Sequence, residues 1–245
     1  MHMTEHGDSG PDCLVNFRDL GGLPAEDGVT TRSGVLYRGD APYDGDRPPE
    51  GATSWPPTAV VDLRDTEEEK SGPHPLERVS TVHHVPVLEG LRDESGADPW
   101  DTLAELYGCM VERAPKRLLE VFRIVLESPG PVLVHCAAGK DRTGVVCALL
   151  LSAAGVRRDA IVTDYVHTDR NMYQVLRRLR IAPEMPTGVD ESAVRELVSA
   201  PAEAIEHLLR TVDTEDGGAA GWLIRHGASD AEIDRWRDKL LGSAV

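Results

Sequence analysis

Residues 132–144 read Val-Leu-Val-His-Cys-Ala-Ala-Gly-Lys-Asp-Arg-Thr-Gly, and the rest of the chain is organised around them. Val132, Leu133 and Val134 read as the end of a buried strand. The run Val-Val-Cys-Ala-Leu-Leu-Leu from Val145 reads as a buried helix, its length separating helix from strand. Between them lie His135, Cys136 and, six positions after the cysteine, Arg142, with Gly139 and Gly144 giving the backbone room to turn. A strand-to-helix loop of this kind points its backbone N–H groups, those of Ala137, Ala138, Gly139 and Lys140, into one concavity at the positive end of a helix dipole. That is an anion cradle. Cys136 at its base sits among N–H donors and near Arg142, and both favour thiolate over thiol. The planar fork of Arg142 can hold two oxygens of a phosphoryl group. The cysteine therefore reads as a nucleophile that attacks a phosphate monoester and becomes a thiophosphate. The bland alternative is a buried cysteine flanking a helix beside a surface arginine. His, Cys, Gly, Arg, Thr and Gly in register between strand and helix stand against it.

Composition sets the bounds. A chain of 245 residues suits one α/β domain with a substantial core. The net charge of −16 argues against nucleic acid, and against stable association with an anionic membrane. It also makes a locally basic loop more telling. Of 26 basic residues only Lys70, Lys116, Lys140 and Lys239 are lysine, and one of those four falls in the loop. Cys13, Cys109, Cys136 and Cys147 show no Cys-x-x-Cys and no metal spacing with the nine histidines, so no metal or other cofactor is expected. Few cysteines, one of them reactive, suit a reducing cytoplasm. Residues 1–11 carry no basic-plus-apolar leader and no run reaches membrane-span length, so the expected location is cytoplasmic, with export by a route lacking a cleaved signal left open.

Along the chain, residues 1–11 read as a polar, disordered tail and 12–245 as a single domain. Residues 35–38 and 59–63 read as strands separated by a proline-rich loop over 40–57. Residues 66–70 start a helix with acids on its first turn, and 81–87 form another strand in which His83 and His84 are strand residues. Residues 103–127 carry helical spacing broken at Ala114-Pro115, hence two helices. Met172, Val175, Leu176 and Leu179 make an apolar stripe opposite Arg177, Arg178 and Arg180, read first as an amphipathic helix with a solvated basic face and second as a basic segment over the site that steers phosphate. Residues 201–242 supply two more helices. The sum is an α/β fold with a central, mostly parallel sheet of four or five strands flanked by helices. The loop lies at the carboxyl end of a central strand, where such sheets bind ligands.

His-Cys, five residues, Arg, then Thr resembles the signature of the cysteine-dependent phosphatases. The fuller wording His135-Cys136-x-x-Gly139-Lys140-Asp141-Arg142-Thr143-Gly144 is similar to the bacterial atypical protein-tyrosine/serine phosphatases, the mycobacterial PtpB-like subfamily. Asn16-Phe17-Arg18-Asp19-Leu20-Gly21-Gly22, Leu36-Tyr37-Arg38, Val61-Asp62-Leu63-Arg64, Asp164-Tyr165 and a closing Ile233-x-x-Trp236-Arg237 fit the same pattern, over roughly residues 13 to 242. The resemblance implies the cysteine phosphatase fold, packing of residues 16–22 near the loop, and a helical lid over about 168–200. In relatives a short helix joins the Tyr-Arg strand to the Asp-Leu-Arg strand; here prolines replace that pattern.

The leaving oxygen needs a proton. No Trp-Pro-Asp is present, and in Asp98-Pro99-Trp100-Asp101 the last residue reads better as a helix N-cap. Asp141, inside the loop, is the better acid, as the resemblance also implies; it can then take a proton from the attacking water. Asp62, at a strand end, is the second candidate, with a structural bond to loop amides as its plainer reading. Lys140 adds charge beside the phosphate and Thr143 is expected to bond the cysteine sulfur. His135 reads as a loop organiser, because adjacent side chains on a strand end point to opposite sides.

The leading expectation is a metal-independent tyrosine phosphatase acting on phosphorylated proteins or peptides, extending to phosphoserine and phosphothreonine. A phosphoinositide phosphatase and a catalytically silent phosphate-recognition module are the alternatives. Sulfur transfer fits the Thr-Gly after the five-residue spacer less well, and arsenate reduction would need partner cysteines. Oligomeric state is not legible.

Overall fold

A computed structural model describes residues 12–26, 28–68, 72–91, 100–179 and 199–242. The 1–11 tail, Asp98, Pro99, Arg180 and most of the expected lid lie outside the described residues. Five strands, β1 (Arg18–Asp19), β2 (Leu36–Gly39), β3 (Ala59–Asp62), β4 (Thr81–His84) and β5 (Val132–His135), form one sheet in the order β1-β2-β5-β3-β4. Only β1 runs antiparallel; β2, β5, β3 and β4 are mutually parallel. Every residue of β2, β3 and β5 is buried. That is why these strands read as continuous apolar runs rather than alternations. In register, Gly39, His135 and Asp62 stand side by side at the carboxyl ends of the three central strands. The site is built there.

Eight helices occur among the described residues: α1 (Leu103–Arg113), α2 (Pro115–Glu127), α3 (Asp141–Ala153), α4 (Arg158–His167), α5 (Asp169–Arg178), α6 (Ala202–Asp213), α7 (Gly218–Arg225) and α8 (Asp230–Leu241). Proline at the first position of α2 lacks only an N–H that a helix start leaves unused, so the chain breaks cleanly at Ala114. Helix α3 has apolar residues all round and is the buried helix of the fold, with α1, α6 and α7 packed on it. It begins at Asp141, so the loop's last residues form its first turn. Trp236 of α8 closes the far end, fully buried, its Nε1–H donating to Leu150 O at 2.8 Å and its ring edge-on to Phe122.

Several sequence expectations are corrected. Residues 66–68 form a turn, not a helix, because Glu68 accepts the Asp65 N–H at 2.8 Å and its carboxylate is drawn to Arg142. The α1 N-cap is Thr102, one residue beyond Asp101, in a capping box with Glu105. The C-terminal region holds three helices rather than two, since Gly227 at φ +116° and the Ser229 capping box separate α7 from α8. Arg178, read as part of a solvated basic face, is not solvated either. Arg178 is buried, donates to both oxygens of Asp46 and to Ala41 O, lies over the Tyr43 ring, and stands 2.8 Å from Asp40. Burial pushes Asp40 up to about 6, against the pull of the Asn16 N–H and of Arg178.

Candidate active site

The loop from β5 to α3 is defined by where its carbonyls go. His135 O accepts from Leu63 N at 2.9 Å, Ala137 O from Ala41 N at 3.0 Å and Lys140 O from Gly144 N at 2.8 Å. Cys136 O accepts from His135 Nδ1 at 3.1 Å. Asn16 Nδ2 donates to Ala138 O at 2.9 Å and Gly139 O at 3.2 Å, and Arg38 Nη2 also donates to Gly139 O, at 2.9 Å. Every carbonyl from 135 to 140 is thus held by the scaffold. A planar trans peptide sets its N–H opposite its C=O. The amides of Ala137, Ala138, Gly139 and Lys140 therefore face the space the loop encloses, with Cys136 buried at its base.

The donors are themselves anchored. Arg38, fully buried, pairs with Asp164 at 2.7 Å; Arg18 pairs with the same carboxylate at 2.5 Å and donates to Asn16 Oδ1 at 2.9 Å. Burial would raise the Asp164 pKa, but Arg38 and Arg18 outweigh it and hold the carboxyl below its ordinary value. The glycine at 139 is required: its φ is +69°, and a Cβ there would lie 2.3 Å from Gly39 O. Gly139→Ala is expected to lower the unfolding free energy by about 2–4 kcal/mol, measured by urea denaturation. A loss under about 0.5 kcal/mol would mean that the loop takes another course.

Three charged side chains follow the cysteine in the loop and the first turn of α3. Arg142 is bidentate to Glu68 of the turn after β3, with Nη2 2.9 Å from Oε1, and it also reaches Leu63 O. Burial opposes its charge, yet the Glu68 hydrogen bonds raise its pKa above the ordinary arginine value. Asp141 accepts from Tyr107 Oη at 2.7 Å, and Tyr107 Oη lies 2.6 Å from Tyr165 Oη. Since the Tyr107 proton goes to the carboxylate, Tyr165 is the donor in the second bond. Burial and the Asp141 charge keep Tyr107 well above its usual pKa, so it stays a donor. Lys140 is buried, its Nζ 3.1 Å from Ser199 O and 3.8 Å from Asp141 Oδ1.

Two expectations meet different surroundings. Thr143 Oγ1 is buried and makes no hydrogen bond among the described residues, so the expected bond to the Cys136 sulfur is not formed here. Asp62 does not bond loop amides. It is fully buried and taken by Arg64, through its N–H at 3.0 Å, Nε at 2.9 Å and Nη2 at 2.5 Å. Burial opposes its ionisation, but His135 and Arg64 hold it far below the usual carboxylate range. Cys147, on α3, is driven up to about 11 by burial and is a packing residue.

His135 points away from the cavity, onto His74, with the two Nε2 atoms 3.0 Å apart and Asp62 Oδ2 3.9 Å from His135. These three residues would make a metal trio by proximity alone. The hydrogen bonds tell otherwise. His74 Nδ1 accepts the Leu76 N–H at 3.1 Å, so the neutral ring carries its proton on Nε2, the atom a metal would need. Of the residues framing the loop, Asn16, Arg18, Arg38, Asp164 and Tyr165 stood in stretches that drew attention through resemblance, without roles. Tyr107 and His74 carry no signal in the sequence, and Glu68 only that of a first-turn helix acid.

Comparison with known proteins agrees with this arrangement. A family model described as the tyrosine phosphatase family matches residues 12–242. The triple specificity protein phosphatase PtpB of Mycobacterium tuberculosis is 30% identical over 199 residues, covering 74% of this chain and 71% of that one. A tyrosine-protein phosphatase of Nostoc commune is 30% identical over 191 residues, covering 74% and 65%. A putative tyrosine-protein phosphatase of Cupriavidus necator is 30% identical over 246 residues, covering 94% and 87%. The matched span takes in the whole loop and every donor that holds it open, and the chain belongs to the tyrosine phosphatase family.

Proposed function

We propose that the enzyme hydrolyses phosphotyrosine in proteins or peptides, and phosphoserine and phosphothreonine as well, through a cysteinyl-phosphate intermediate. The observation that carries this reading is the ring of outward-held carbonyls, which leaves an amide-lined anion cradle around one buried cysteine. The Cys136 thiolate attacks phosphorus in line as the bond to the leaving oxygen breaks. The bonding pair stays on that oxygen, which takes the Asp141 proton. Loop amides and Arg142 hold the three equatorial oxygens, whose charge is spread in the transition state. Water then attacks phosphorus and gives its proton to Asp141. The S–P bond breaks, its pair returning to sulfur, and phosphate departs. Asp62 does not serve as the acid in this scheme, because a carboxyl held ionised by Arg64 has no proton to give near neutrality.

Lys140, a second cation within the loop, is the observation that favours a phosphoinositide as an alternative substrate. No described helix is long and apolar enough to cross a membrane. The test is rapid acid quench in chelator, with phosphotyrosine, phosphoserine and phosphoinositide substrates and an aryl phosphate with a good leaving group. Asp141→Asn is expected to lower kcat on phosphotyrosine by about 10²–10³-fold. On the aryl phosphate it accumulates phosphocysteine, because only the second step still needs a base. Absence of any phosphoenzyme would overturn the scheme. Faster turnover of the inositol substrate would move the assignment there, and binding without turnover would leave a recognition module.

A further inference from the structure

We propose that His74 is a positioning residue for the nucleophile: its Nε2–H holds His135 in the tautomer that bonds the Cys136 carbonyl, and so strengthens the Ala137 amide as a donor. The inference rests on Cys136 being the nucleophile. It follows from three contacts read together. Leu76 N–H donates to His74 Nδ1 at 3.1 Å, so that nitrogen carries no proton. Cys136 O can only accept, so His135 Nδ1, 3.1 Å away, must carry one. Between the two Nε2 atoms, 3.0 Å apart, there is then one proton, and it belongs to His74. The relay runs one way, Leu76 N–H to His74 to His135 to Cys136 C=O.

The donor is built in. His74 lies between Pro73 and Pro75 in a turn closed by Glu77 N to His74 O at 2.9 Å, and the residue is 6% exposed. The Cys136 carbonyl belongs to the same peptide as the Ala137 N–H. A bond to the oxygen draws charge from the nitrogen and makes that N–H a better donor to thiolate and phosphoryl oxygen. Without His74, His135 Nε2 faces the Asp62 carboxylate at 3.9 Å and gains by taking the proton itself. Nδ1 then presents a lone pair to the Cys136 carbonyl, and the bond becomes a repulsion. The charged groups around the relay are Asp62, Arg64 and Arg142. Burial and the neighbouring imidazole drive His74 down to about 4, with Asp62 opposing, so the chain stays neutral across ordinary pH. In acid a second proton would set two Nε2–H groups against each other and open it.

The test is the tautomer of His135, read by long-range ¹H–¹⁵N spectra of the full-length enzyme, beside steady-state kinetics. In the wild type His135 is expected to carry its proton on Nδ1 and His74 on Nε2. In His74→Phe, His135 moves its proton to Nε2 or becomes charged. There kcat falls about tenfold with KM within about twofold, and the acid limb of kcat/KM shifts to higher pH. His74→Gln, whose amide still offers a donor, keeps the Nδ1 tautomer and recovers most of kcat. An Nε2 tautomer in the wild type, or an unmoved tautomer in His74→Phe, overturns the proposal. If the Phe variant does not fold, a flipped tautomer in His74→Gln overturns it equally. A wild type that turns over no phosphate ester sinks the phosphatase scheme alone, because the tautomer still decides the relay.

Discussion

Cys136→Ser is expected to reduce phosphate release from a phosphotyrosine peptide by at least about 10⁵-fold while leaving binding intact. A serine hydroxyl is nearly the size of the thiol, so the buried base of the loop stays filled. The carbonyl bonds that shape the loop involve backbone groups and the side chains of Asn16, Arg38 and His135, none of which changes. What changes is the nucleophile. A thiol ionises far more readily than an alcohol, so only the cysteine can offer an anionic nucleophile beside the amides and Arg142. The same donors cannot ionise an alcohol. Binding in the variant should equal or exceed the wild type, because the phosphate dianion no longer meets a negative sulfur. Steady-state kcat, with calorimetric titration of phosphopeptide into the variant, reads both quantities. Residual turnover above about one per cent would point to a nucleophile other than Cys136.

Sequence and structure agree where the signal is local. The apolar run at 132–134, the glycines of the loop and Pro115 between α1 and α2 each act on their own backbone, so strand, turn and helix break are readable in order. The cradle was legible for the same reason. Its supports were legible only in part: resemblance places residues 16–22 near the loop, where Asn16 does bond, but nothing local to Asn16 or Arg38 announces which carbonyls, more than a hundred positions away, they hold. Polar side chains misled in the same way. Arg178 reads as part of a solvated face because helical periodicity records which side is polar, not whether acids from another segment meet it. Glu68 read as a first-turn acid of a helix, whereas its carboxylate is committed to Arg142 and a turn results. His74, set in Pro-His-Pro, reads as loop until its partner is known.

Arg142→Lys is expected to lower kcat by about 10³-fold, with a smaller rise in KM. In the free enzyme the guanidinium is held flat by two bonds to Glu68 and one to Leu63 O, so its orientation is set before substrate arrives. A planar fork can keep part of that clamp and still offer donors to two phosphoryl oxygens. An ammonium is a point charge on a flexible stem, and Glu68 would compete for it. The ground-state dianion still finds the loop amides, so binding suffers less than the chemical step. The transition state loses the donor pair aimed at its equatorial oxygens, and that difference falls on kcat. Glu68→Gln in the same assay separates charge from orientation: a neutral amide still accepts from the guanidinium, so kcat should drop far less than in Arg142→Lys. An Arg142→Lys enzyme within about tenfold of wild-type kcat would mean that the amides alone carry the transition-state charge. Equal losses in the two variants would mean that the Glu68 clamp, rather than the fork it holds, limits the reaction.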